Sequence, residues 1–144
     1  MKVEVHFYER GNLLARLVRW WTYSPWSHVE VAIPQECHYV CSPDKGLYKV
    51  PVGERGDRVI VLELPRVEAA KIWAEEEMGC SYDWWGAVTV ALPWLRREHP
   101  SRWHCAEFVA AFLDCSGESY LNAPWRTTPA ELWERFKDTK DLGE

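Results

Sequence analysis

Among five cysteines and five histidines in this 144-residue chain, Cys105 and His28 are a pair whose types could together do nucleophilic chemistry. Cys105 lies in Trp103-His104-Cys105-Ala106-Glu107-Phe108-Val109-Ala110-Ala111-Phe112-Leu113. There Phe108, Val109, Phe112 and Leu113 recur at the i, i+1, i+4, i+5 spacing of a helix with one buried face. Pro100 and Ser101 lie just upstream, where helix starts are signalled, so the spacing predicts Cys105 in or near the first turn. Unpaired backbone N–H groups and the positive end of the helix dipole favour thiolate over thiol at that position. The same N–H groups can hold a developing oxyanion. If His28 meets the sulfur, its imidazole takes the thiol proton and the thiolate attacks an acyl carbonyl. His104 adjoins Cys105 in the chain and is expected to point elsewhere on the helix, while His6 and His99 read as surface groups. A zinc site drawn from Cys37, His38, Cys41, His104 and Cys105 is disfavoured. Cys37 and Cys41 on one strand stand about 14 Å apart, too far to chelate one ion, so neither a metal nor another cofactor is expected.

The elements that must position this pair read as α+β, with an antiparallel sheet of four to six strands and the Cys105 helix packed across it. Residues 2–8 alternate Val3, Val5 and Phe7 against Lys2, Glu4 and His6, a strand pattern. Asn12 caps an amphipathic helix over 13–21 (Leu13, Leu14, Leu17, Val18, Trp21), which Ser24-Pro25 ends. Residues 27–33 form a strand with Val29, Val31 and Ile33 on one face and His28, Glu30 and Ala32 on the other. A connection at 34–36 returns the chain antiparallel over 37–42. Strands follow at 47–52 and 58–64, then a helix over 65–78 with Val67, Ala70, Ile72, Trp73 and Met78 toward the core and Gly79 as its stop. Residues 84–88 read as a helix and 92–100 as a basic loop. Thr128 and Pro129 open a last helix as cap and first helical residue. No repeat or linker is visible, so residues 1–144 are read as one domain.

The composition is that of a globular domain: 47% hydrophobic and 27% charged, with ten tryptophans, most of them read as core. A net charge of −5 argues against nucleic-acid binding, which needs a basic face. No run is long and apolar enough for a transmembrane segment. Met1 leads straight into the first strand, so no signal peptide is expected. Five cysteines make an odd count with no evident framework, and the expected setting is reducing: cytoplasmic, or associated with a phage particle.

Five stretches in one order resemble the circularly permuted NlpC-type papain-like hydrolases, which are related to the lecithin retinol acyltransferase-like branch. They are residues 11–33, with Ser24-Pro25-Trp26-Ser27-His28-Val29 at their centre; Tyr39-Val40-Cys41-Ser42-Pro43-Asp44-Lys45-Gly46-Leu47; Gly79-x-x-Tyr82-Asp83-Trp84; Trp103-His104-Cys105-Ala106-Glu107; and Thr128-Pro129-x-x-Leu132. The resemblance covers nearly the whole chain. It implies a papain-like fold, Cys105 as nucleophile, His28 as base, and a polar third residue on the next strand to orient the imidazole. At that position this chain offers His38, Cys41 or Ser42, of which His38 is the best orienter. Glu30 stands where relatives carry glycine; its carboxylate would stabilise imidazolium or narrow substrate choice. Trp26, Glu30 and Tyr82 are the expected groove residues, and Glu107 is expected to make a structural hydrogen bond or face solvent. The implied function is a cysteine peptidase or amidase of bacterial or phage origin, acting on an acyl bond such as a peptidoglycan peptide amide. The competing readings are a lipid acyl hydrolase or transferase, and an inactive papain-like binding or structural module.

Overall fold

Period-two alternation makes the sheet two-faced, and the two faces do different work. The computed structural model describes residues 1–9, 16, 25–51, 53–85, 102–118 and 127–139. Among them are the strands β1 (Lys2–Tyr8), β2 (His28–Ile33), β3 (Cys37–Ser42), β4 (Gly46–Val50) and β5 (Arg58–Glu63). They form one antiparallel sheet in the order β4-β3-β2-β1-β5. Val3, Val5 and Phe7 of β1 share their face with Val29, Val31, Tyr39 and Ile60, and all are buried. On the other face lie Glu4, His6, Tyr8, His28, Glu30, Ala32 and His38. Pairing sets Tyr8 opposite His28, His6 opposite Glu30, and Ala32 opposite both Glu4 and His38. The expected helix over 13–21 lies outside the described residues apart from Arg16, as do the 92–100 loop and 86–88 of the 84–88 helix.

Helices cover the apolar face. They are α1 (Val67–Glu77), α2 (Cys105–Cys115) and α3 (Pro129–Phe136). Every residue of α2 from Cys105 to Leu113 is buried, a wider apolar surface than the one-sided stripe expected from the sequence. Tyr39 receives Phe112 at 5.5 Å and Phe108 at 6.1 Å between ring centroids, and Trp73 of α1 stacks on Phe108 at 5.5 Å. Phe112 is fully buried, so Phe112→Ala should cost about 3–5 kcal/mol, read as a lowered urea midpoint with unchanged slope. A loss under about 1 kcal/mol would show the α2–sheet contact to be loosely packed.

One sequence reading is corrected. Ile72 is 64% exposed rather than core, because the buried stripe of α1 is Val67, Ala70 and Ala74. Ile72 stands about 140° round the helix from Val67. Helix α2 starts at Cys105, which places the sulfur in the first turn as expected. A short strand β7 (Arg102–Trp103) comes first, paired in parallel with β6 (Ser81–Tyr82). This small pairing, with Asp83 N–H donating to the Trp103 carbonyl at 2.9 Å, ties Tyr82 and Asp83 to the chain just before Cys105. Gly46 permits the tie: its φ is +70°, and a Cβ there would stand 2.2 Å from the Cys80 carbonyl oxygen.

Candidate active site

Helix α2 begins with a reciprocal cap. The Glu107 N–H donates to His104 Nδ1 at 3.4 Å, and the His104 N–H donates to Glu107 Oε2 at 3.4 Å. Glu107 is therefore a buried structural partner. Cys105 is the first helical residue. Its own N–H and that of Ala106 belong to the first turn, whose N–H groups have no partner within a helix.

His28, at the beginning of β2, reaches both sides of the sheet's end. Its Nε2 lies 3.0 Å from Glu30 Oε1, two residues along the same strand face. Its ring is also close enough to the Cys105 sulfur for each to shift the other's pKa. With Nε2–H given to the carboxylate, Nδ1 is the nitrogen left for the thiol proton. Burial pushes His28 toward the neutral form, but the hydrogen bonds and charges of Cys105 and Glu30 prevail and raise its pKa to about 9. Burial likewise opposes ionisation of Cys105, yet the His104 and His28 imidazoles lower its pKa to about 5. Between those values the pair is thiolate and imidazolium. Burial works against the Glu30 charge as well, and hydrogen bonds from His28, Tyr8 and His38 hold its carboxyl below the usual range.

The sequence-predicted residues fall in different places. Cys105, His28 and Glu30 come together. Of the three candidates for the orienting position, His38 places Nδ1 3.4 Å from Glu30 Oε2, Cys41 donates to the Trp103 carbonyl, and Ser42 donates to Asp44. The atom that meets His28 Nε2 belongs to Glu30 itself, on the same strand as the histidine. Tyr82 is near the sulfur, and burial with the negative charge of Cys105 raises its pKa, so it remains a neutral hydroxyl. Trp26 is not a groove residue: it is 5% exposed and packs against Phe7 at 5.7 Å and Trp133 at 5.0 Å. His104, expected to point away, is instead close enough to the sulfur to lower its pKa. His6, expected on the surface, is buried. Tyr8 went unnoticed, although it shares strand parity with Glu4 and His6.

No family model matches the chain, and no curated protein matches it either. Among the described residues, no helix is long and apolar enough to cross a membrane.

Proposed function

We propose that this chain is a thiol hydrolase of the papain-like kind, acting on an acyl bond through Cys105 and His28. One observation carries the reading: an imidazole 3.0 Å from a buried carboxylate lies close enough to a helix-mouth sulfur for each to shift the other's pKa. The thiolate attacks the acyl carbonyl carbon, and the Cys105 and Ala106 N–H groups receive the oxyanion. The imidazolium of His28 protonates the leaving nitrogen or oxygen as its bond to carbon breaks, which leaves a thioester on Cys105. Water then attacks the thioester, His28 takes its proton, and the thiolate departs. The permuted NlpC-type resemblance supports a peptide amide, such as that of peptidoglycan, as the substrate class.

The test is mass spectrometry of the intact protein incubated at pH 7 with peptidoglycan fragments and, separately, with short-chain thioesters. Peptide cleavage, or an acyl adduct on Cys105, is expected. Iodoacetamide alkylation should follow a midpoint near 5 rather than the ~8.5 of a free thiol. An ordinary midpoint with no cleavage would overturn the reading. The 7% exposure of Cys105 favours the second reading, an inactive papain-like module; labelling of Cys105 without acyl transfer to any substrate would support it.

A further inference from the structure

The polar face of the sheet continues behind Glu30 in a layer that attack on an acyl group does not itself use. Tyr8 donates to Glu30 Oε2 at 2.9 Å and lies 2.5 Å from the Glu54 carbonyl oxygen. His38 Nδ1 is 3.4 Å from the same Glu30 oxygen, and its ring stands edge-on to His6 at 4.6 Å. His6 in turn pairs through Nε2 with Glu4 at 2.9 Å and accepts the Gly56 N–H on Nδ1 at 3.1 Å. Residues 53–56 lie flat on this layer. A Cβ at Gly53 would stand 2.4 Å from the His38 ring, and one at Gly56 would stand 2.9 Å from the Phe7 backbone. Among the described residues, the titratable groups around Glu30 include Glu4, His6 and Tyr8 of β1, His28 of β2 and His38 of β3, with residues 53–56, Glu54 and Arg55 among them, closing the layer.

We infer that Tyr8 and His38 are positioning residues of the proposed reaction, holding Glu30 ionised and aimed at His28 by hydrogen bonds to its far oxygen. The inference rests on the thiol–imidazole reading. A carboxyl buried this deeply keeps its charge only while donors satisfy it. Without them the carboxylate is held less firmly against His28 Nε2, and the imidazolium loses part of its counter-charge. The consequence is directional: loss of either donor lowers the alkaline limb, at which His28 gives up its proton.

The experiment follows the His28 imidazole by NMR against pH for the wild type, Tyr8→Phe, His38→Leu and His38→Asn, with iodoacetamide alkylation of wild-type Cys105 read beside it. Asparagine carries an N–H near the place of His38 Nδ1, so it can restore the bond. Tyr8→Phe and His38→Leu are expected to lower the His28 midpoint from about 9 by about half a unit or more each, and His38→Asn to return it to the wild-type value. A raised wild-type His28 midpoint left unmoved by Tyr8→Phe and His38→Leu would overturn the inference and leave the thiol–imidazole reading standing. A His38→Asn profile matching His38→Leu would overturn it too, because the role of His38 would then be packing alone. Should His38→Leu fail to fold, Tyr8→Phe alone decides between these outcomes. A wild-type alkylation midpoint near that of a free thiol sinks the thiol–imidazole reading itself, with this inference.

Discussion

Replacing His28 by alanine is expected to move the alkylation midpoint of Cys105 from near 5 to above 8. Burial raises the pKa of this thiol, and two imidazoles bring it down; His28→Ala removes one of them together with its positive charge. At pH 6 the thiolate fraction would fall roughly 300-fold, but a more basic thiolate is the better nucleophile, so the alkylation rate should fall only about tenfold. The midpoint is therefore the reading to take. Acyl transfer loses more, about a thousandfold or beyond, because the general acid for the leaving group goes with the ring. His104→Asn is the matching control, since asparagine keeps the cap of α2 while removing the second imidazole. Its rise, read beside that of His28→Ala, would separate the two histidines. A midpoint unmoved by His28→Ala but raised by His104→Asn would assign the thiolate to His104 and end the role proposed for His28.

The wild-type pH dependence has its sign fixed by the same pair. Cys105 must be ionised, so activity rises with pH through about 5; His28 must be protonated to release the leaving group, so activity falls through about 9. The profile is a broad bell, highest near neutrality.

The parts of this arrangement that were legible in the sequence are those with a local period. Val3, Val5 and Phe7 alternate cleanly, Thr128 and Pro129 carry capping chemistry, and the apolar run after Cys105 has helical spacing; all three became the expected elements. Strand parity alone put His28 and Glu30 on one face. The role of His38 was harder to read because it depends on register across the β2–β3 turn, where Gln35 adopts a φ of 66°. That register sets His38 opposite Ala32, diagonal to Glu30 and two pairs away from His28. The imidazole expected to orient His28 therefore meets the carboxylate. His104 departs from expectation for a different reason: the helix starts one residue after it, so its ring caps the first turn and is not carried round the helix surface. Tyr8 meets Glu30 from 22 positions away and Glu54 from 46, and Gly53 lies against His38 from beyond the end of β4, contacts with no periodic signature.

Glu30 offers the sharpest division between charge and shape. In Glu30→Gln the amide oxygen can still accept His28 Nε2–H, but its NH2 group then faces Tyr8 and His38, which both donate to the native carboxylate. Tyr8 can turn its proton fully to the Glu54 carbonyl and accept from the amide, and His38 can switch tautomer, so the fold should lose only about 1 kcal/mol. What the amide cannot supply is the negative charge beside the imidazolium. The His28 limb should then fall from about 9 by roughly one to two units, and turnover by about ten- to a hundredfold. Glu30→Ala behaves differently, since it leaves the His28 and His38 donors facing a cavity and should cost about 2–4 kcal/mol of stability besides the activity. Both variants are read by turnover against pH beside a urea titration. A Glu30→Gln protein with the wild-type alkaline limb would mean that the carboxylate only fills space between three donors, and the orienting role would pass from Glu30 to the packing around His28.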